Sequence, residues 1–253
     1  MIVLGDTIEE MSKLQDKSID LILCDLPYGV TNHREDKLIP LDKLWEQYNR
    51  VIKDSGSVIL FAQGLFYVDL VNSNRKNFRY DLVWDKVLVS GFLEANRKPL
   101  RVHEQVCVFQ KFPKKCTYNP QFTIGRPLHG KGHSYKNKEV VNQNYGNYKA
   151  SEDKAGNIKK HPKSIISFQK PHPSKALHRT EKPIECLEWL IKTYSNENDV
   201  VLDNTCGSGS TAIACLNTGR RYICIDNSEH YISVANNRIK NWKILKLQDD
   251  NKK

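Results

Sequence analysis

At 253 residues with 39% hydrophobic side chains, the chain is long enough to bury a real core, which excludes global disorder and suits one large domain or one domain with an insertion. Its net charge of +10 and pI near 9.2 fit a polyanionic partner, although a basic soluble protein without one carries the same balance. No run of about 18 apolar residues offers a membrane span, the opening MIVLGDTIEE lacks the basic-then-apolar order of a signal peptide, and seven cysteines without a C-x-x-C pair predict a reduced, cytoplasmic chain with neither disulfide framework nor metal site.

In chain order, MIVLGD and IDLILCD are short apolar runs closed by an acid, and each predicts a buried strand. LDKLWEQYNRVIKDSG sets Leu41, Leu44, Trp45, Tyr48, Val51 and Ile52 at helical spacing and predicts a helix closed at Gly56. SVILFA, FRYDLVWDK and HEQVCVFQK predict further strands. From Phe112 to Lys175 the texture changes to Lys, Asn, Gly and Tyr with no sustained apolar period. This stretch predicts a basic insertion of loops and short strands, its aromatics interleaved with charges in a pattern suited to phosphates and bases. A surface linker is the alternative. The α/β texture then returns. EKPIECLEWLIKTYS places Ile184, Leu187, Leu190, Ile191 and Tyr194 on one helical face. DVVLDNTCGSGSTAIACLNTGRRYICIDNSEHYISVANNRIKNW predicts strand, glycine loop, helix, strand, turn and helix, and the polar tail LQDDNKK is expected to fray. Strands alternating with helices predict a doubly wound, mainly parallel, Rossmann-like α/β sheet. The boundaries are 1–111, 112–175 and 176–253.

The glycine loop after Asp203 runs through Cys206, Gly207 and Gly209 into a helix starting near Ser210. Small residues at such a βα turn let a ligand approach the backbone. Asp226 closes the next strand, about 20 residues on, where an acid can accept ribose hydroxyls. The third glycine of a dinucleotide fingerprint is absent, and so is the Lys of a Walker loop. Asp203 would repel a pyrophosphate and suit a cationic ligand such as S-adenosylmethionine. At the end of another strand stand Asp25, Leu26, Pro27 and Tyr28. Ligands of a doubly wound sheet lie at the strands' carboxyl ends, so Asp25 can accept from an exocyclic amino group, the Leu26 carbonyl can accept the second hydrogen, and Tyr28 can stack on a base. Pro27 stiffens the turn.

LCDLPYG, DNTCGSGST, the lead-in HRTEKP and the strand end LGD together resemble the β group of DNA amino-methyltransferases, in which the catalytic D-P-P-Y motif precedes the cofactor loop. The resemblance covers nearly the whole chain outside the basic insertion. It implies transfer of a methyl group from S-adenosylmethionine to adenine N6 or cytosine N4 of a flipped base in duplex DNA, with no metal. The implied cofactor residues are Asp6, Thr180, Lys182, Asp203, Cys206, Gly207, Gly209, Ser210 and Asp226. The implied target-recognition region is the insertion, with Arg126, Lys131, His133, Tyr135, Lys136 and Asn144 as candidate DNA contacts. A homodimer and a cognate restriction endonuclease are further partners that the resemblance suggests. Leu26 stands where the family has its first proline, and Arg179 and Glu181 replace a proline and a glutamine of the lead-in.

Other chemistries fit less well. Ring-carbon methylation of cytosine needs a cysteine nucleophile, usually after proline, and no Pro-Cys dipeptide occurs. Protein-glutamine and RNA methyltransferases with a related motif usually place the cofactor loop first. A nicotinamide dehydrogenase is disfavoured by the missing glycine and by Asp203. A non-catalytic DNA-binding relative predicts damage at Asp25, Gly207 or Gly209, and all three are present. Between the two amino groups, an acid at the first motif position resembles the adenine enzymes and a serine the cytosine ones, so Asp25 favours adenine.

Overall fold

The computed structural model describes residues 1–29, 37–129, 139–144, 146–149, 155–171 and 181–250. It divides into two compact units, Met1–Asn119 with Ser164–Lys253, and Pro120–Lys163. In chain order the elements are β1 (Ile2–Leu4), α1 (Thr7–Ser12), β2 (Ile19–Cys24), α2 (Leu41–Val51), β3 (Ile52–Ala62), α3 (Gly64–Ser73), β4 (Phe78–Ser90), β5 (Arg101–Phe109), β6 (Thr123–Ile124), β7 (Glu139–Asn142), β8 (Gly146–Lys149), β9 (Lys159–Lys160), β10 (Ile165–Ser167), α4 (Ile184–Tyr194), β11 (Val200–Asp203), α5 (Ser210–Asn217), β12 (Arg221–Asp226) and α6 (Glu229–Asp250).

The larger unit is built on an eight-stranded sheet in the order β1-β12-β11-β2-β3-β5-β4-β10. β5 runs antiparallel to both neighbours, and the other pairings are parallel. This is the doubly wound, mainly parallel α/β sheet that the alternation predicts. Ile19, Leu21, Ile22 and Leu23 of β2 are all fully buried. Helices on both faces of a parallel sheet leave no solvent side, so its strands are apolar without alternation. Successive residues of β2 accordingly feed two cores. Ile22 and Cys24 pack with α2 (Leu44, Trp45, Tyr48), while Leu21 and Leu23 pack with α4 (Leu187, Leu190, Ile191).

Three local features depart from the sequence pattern. The helix α2 ends at Val51, five residues short of Gly56. Ile52 is already a strand residue paired with Ile19, and its N–H bonds back to the Tyr48 carbonyl. Gly56 instead sits beside a shift of register in the β2–β3 ladder, where a Cβ would lie 2.7 Å from the Asp20 carbonyl oxygen. Ile165–Ser167, inside the stretch 112–175, joins the main sheet beside β4. The tail is helical through Asp250, so α6 carries the helix into the segment expected to fray.

The smaller unit contains two short antiparallel ladders, β6 with β9 and β7 with β8. Phe122 packs edge-on against His161 at 4.9 Å between ring centres. Among the described residues, no helix is long and apolar enough to cross a membrane.

Candidate active site

Strands β2 and β11 lie side by side and parallel, with Val201 opposite Leu21 and Leu202 opposite Ile22. From β2 the chain leaves through α2 to β3 on one side, and from β11 it leaves through α5 to β12 on the other. Their carboxyl ends therefore form the switch point, where a doubly wound sheet opens a crevice. The structure brings Asp25–Tyr28 and Asn204–Gly209 together at that point. The Thr205 hydroxyl donates to the Asp25 carbonyl at 3.1 Å. Below it the buried Asn204 Oδ1 accepts from the Cys24 thiol at 2.8 Å and from the Tyr48 hydroxyl at 2.6 Å. Leu26 is 3% exposed and lies in the apolar core, so its side chain anchors the turn by burial where a proline would stiffen it.

Asp25 is the centre of a charged cluster. Its Oδ1 accepts the Tyr28 hydroxyl at 2.7 Å, and its Oδ2 is paired with the Lys182 ammonium. Lys182 also lies 3.5 Å from Glu104 Oε2, and Lys86 lies 3.2 Å from Glu104 Oε1. The Lys182 ammonium stands over the rings of Phe61 and Trp84, 5.0 and 5.8 Å from their centres. All four charged side chains are largely buried. Burial raises the Asp25 carboxyl above its ordinary range, against the pull of Lys182. For Glu104 burial is outweighed by Lys182 and Lys86, and the carboxyl is held below its ordinary range. Lys182, despite burial, is raised by the two acids. Geometry explains why Glu104 is present. Cys24, the end of β2, is level with Leu60 and hence with Cys107. The β4–β5 hairpin continues from there to Arg101, overhanging the end of β2 by about 20 Å. Glu104 lies on this overhang, beside the Tyr28 hydroxyl at 3.5 Å. The Tyr28 ring stacks on Phe66 at 5.1 Å.

The glycine loop is held by its own acids. Asp203, 4% exposed, accepts the Thr205 N–H at 3.1 Å and the Thr211 hydroxyl at 2.5 Å. Burial pushes its carboxyl up to about 7. Asp226 accepts the Gly207 N–H at 2.8 Å and the Ser228 N–H at 2.9 Å. Gly207 and Gly209 have φ of +48° and +79°, in the region that favours glycine. At Gly209 a Cβ would also lie 2.8 Å from the Ala235 Cβ. Ser210 donates to Glu181 at 3.0 Å, and Arg238 of α6 reaches Ser208 and Ser210 while pairing with Glu181 at 2.8 Å.

The other sequence-selected residues are placed as follows. Asp6 caps α1, accepting the N–H groups of Ile8 and Glu9. Lys182, grouped by sequence with the cofactor residues, has its ammonium on Asp25 and Glu104. Cys206 is buried against the core of Ala212, Ile213 and Cys224. Its thiol is pushed up by the neighbouring Cys224 and by burial, and the Cys24 thiol is raised by burial. The thiolate form is therefore disfavoured at both. Arg126 and Asn144 are exposed in the smaller unit. Thr180, Lys131, His133, Tyr135 and Lys136 lie outside the described residues. Sequence reasoning passed over Glu104, Lys86, Asn204, Phe66 and Arg238. The one signal for Glu104 was an acid at the period-two spacing of Val102, Val106 and Val108, just ahead of the apolar run VCVF.

A family profile described as DNA methylase matches residues 19–237. The type II methyltransferase M.HpaI of Haemophilus parainfluenzae is 27% identical over 94% of this chain and 73% of its own length. The DNA adenine methyltransferase YhdJ of Escherichia coli is 24% identical over 94% and 82%. Among solved structures, a complex of M1.HpyAVI with SAM superimposes with a TM-score of 0.59 at 20% identity, covering 94% of this chain and 98% of that one. The cytosine-N4-specific PvuII methyltransferase does so at 0.64 and 14%, covering 92% and 84%.

Proposed function

The chain belongs to the DNA methylase family of N6 and N4 amino-methyltransferases, and from that premise we propose that it methylates adenine N6 in duplex DNA, with S-adenosylmethionine as donor. The observation that carries this reading is the meeting of Asp25-Leu26-Pro27-Tyr28 with the Asp203–Ser210 glycine loop at the switch point of the sheet. A base inside a duplex is out of reach, so the target is extruded into the crevice. Asp25 then accepts one amino hydrogen and the Leu26 carbonyl the other, which aims the nitrogen lone pair. Tyr28 stacks on the base. This is catalysis by orientation and by fixed charge. Asp25 at the first motif position favours adenine, and the adenine methyltransferase YhdJ among the relatives supports the same choice. Cytosine N4 is the second reading, supported by the likeness to the PvuII enzyme. Mapping modified bases in unmodified DNA treated with the purified protein decides between them: N6-methyladenine is expected, and N4-methylcytosine would overturn the adenine assignment.

The crevice fits S-adenosylmethionine. Asp203 is a buried carboxylate with hydrogen-bond donors but, among the described residues, no cationic side chain bonded to it. A sulfonium with an α-amino group supplies the missing positive charge. When bound, the cofactor supplies an electrophilic methyl group. Asp203, Gly207, Gly209, Ser210 and Thr180 would hold its methionine end, and Asp6 and Asp226 its adenosine, with Cys206 lining the loop. Because Asp226 also holds the Gly207 N–H, Asp226→Ala removes both a ribose acceptor and a loop tie. Calorimetry should show affinity for S-adenosylmethionine at least about tenfold weaker, one lost charge-assisted hydrogen bond being about 1.5–3 kcal/mol. Unchanged affinity removes Asp226 from the site.

The basic stretch 112–175, which contains the smaller unit, is proposed to read the target sequence. Arg126, Lys131, His133, Tyr135, Lys136 and Asn144 are its candidate contacts. DNA affinity should fall steeply with salt through counterion release. A folded variant lacking Pro120–Lys163 that still methylates the same sites at full rate would reject this role. Assembly as a homodimer and pairing with a cognate restriction endonuclease belong to the same reading.

A further inference from the structure

We propose that Glu104 is a positioning residue that sets the acceptor strength of Asp25 by competing with it for the Lys182 ammonium. The inference rests on Asp25 being the acceptor of the target amino group.

Lys182 is shared. It is paired with Asp25 Oδ2 and lies 3.5 Å from Glu104 Oε2. Glu104 in turn is fixed on its other oxygen by Lys86 at 3.2 Å, and Lys86 reaches Ser90 at 3.4 Å. Two cations and two carboxylates thus alternate from the hairpin to the motif. The Tyr28 hydroxyl closes the circuit, 2.7 Å from Asp25 and 3.5 Å from Glu104. A lysine given wholly to Asp25 would neutralise it and weaken it as an acceptor. Without the lysine, the buried carboxylate would take up a proton. Dividing Lys182 between two acids leaves Asp25 ionised yet basic, the condition that favours acceptance of an amino hydrogen.

The charges facing this pair come from several elements. Lys182 precedes α4, where Cys186 is its neighbour. Glu104 comes from β5, Lys86 from β4, Tyr28 from the motif itself, and Asp203 from the end of β11. For Asp25, burial and Glu104 push the carboxyl up while Lys182 pulls it down. Removing Glu104 therefore lowers the Asp25 pKa twice over, by deleting a negative neighbour and by releasing Lys182 to it. Removing Lys182 raises it.

The test is the pH profile of kcat for DNA methylation by the full-length protein, whose acid limb reads the ionisation of Asp25 in the complex. In Glu104→Gln the acid limb is expected to move down by about one pH unit, with the plateau kcat about tenfold lower and the Kd for S-adenosylmethionine within about twofold of wild type. In Lys182→Met the limb moves up. Glu104→Asp, whose shorter carboxylate draws back from Lys182, lies between wild type and Glu104→Gln, and it carries the test if Glu104→Gln does not fold. General loss of stability cannot move one limb in opposite directions in two variants. A wild-type profile in Glu104→Gln, or a lower kcat with an unmoved limb in both Glu104 variants, overturns the proposal and leaves Glu104 a packing residue. Asp25→Ala separates this from the reading beneath it. If Asp25→Ala keeps the normal rate, the acceptor role of Asp25 is wrong; if it is inactive while the Glu104 variants move nothing, only the role of Glu104 fails.

Discussion

Asp25→Ala is expected to cut methyl transfer at least about a hundredfold, since a charged hydrogen bond is about 1.5–3 kcal/mol and each 1.36 kcal/mol is tenfold, with misalignment adding to the loss. Cofactor affinity should stay close to normal. Of the contacts Asp25 makes, only its carbonyl touches the glycine loop, through Thr205, and that carbonyl survives the substitution. The substitution leaves Lys182 with Glu104 alone, and a buried charge stripped of a partner destabilises. Asp25→Asn, which keeps the shape and an acceptor oxygen, is therefore run beside it, with thermal unfolding as the control. Tyr28→Ala should weaken capture of the extruded base. Tyr28→Phe keeps the stacking ring but removes the hydroxyl donated to Asp25, so it should cost less than Tyr28→Ala while raising the Asp25 carboxyl. Asp25→Ser, which imitates the cytosine-type motif, should retain a trace of activity. A normal methylation rate in folded Asp25→Ala would reduce the motif to a strand-to-loop turn.

The sheet was legible because a parallel strand covered on both faces is written as an unbroken apolar run, as in β2, and because the runs of β1, β2, β11 and β12 lead to Asp6, Asp25, Asp203 and Asp226 at the carboxyl edge. The boundary of α2 was not legible. Ile52 continues the apolar spacing of the helix, and only its pairing with Ile19 shows that it belongs to a strand. The three residues of β10 are too few to carry a period. They are strand because β4 offers an edge, which is a tertiary cause. The site divides in the same way. Asp25 and the glycine loop announce themselves through local turn chemistry. The surroundings of Asp25 do not, because Lys182 is 157 residues away in sequence and Glu104 arrives only through the length of a hairpin. Sequence placed Lys182 with the loop it precedes; the structure puts its ammonium on the motif.

The affinity for S-adenosylmethionine should fall as the pH drops below about 7, and Asp203 is the reason. In the folded chain its carboxyl ionises at about 7, against an ordinary value of 3.8, because burial disfavours the charge. An acid whose folded pKa is raised holds its proton more tightly when folded. Stability is then lost as the pH climbs from about 4 to about 7. A rise of that size corresponds to roughly 4 kcal/mol of destabilisation above that range, as an upper figure. Asp203→Asn removes this cost and keeps an acceptor for Thr205 or Thr211, so without cofactor it should melt several degrees higher than wild type at pH 8. At pH 4 the two should melt alike. A cationic ligand reverses the balance, because it favours the ionised carboxylate and expels the proton as it binds. Wild-type affinity should therefore weaken by up to about tenfold per pH unit below about 7, with proton release visible as a dependence of the calorimetric enthalpy on buffer. Asp203→Asn should bind more weakly and with a flat profile. Equal, pH-independent affinity in both proteins between pH 6 and 8 would show that no cation comes to rest on Asp203. The instability that this residue imposes on the empty fold would then have to be explained without the cofactor.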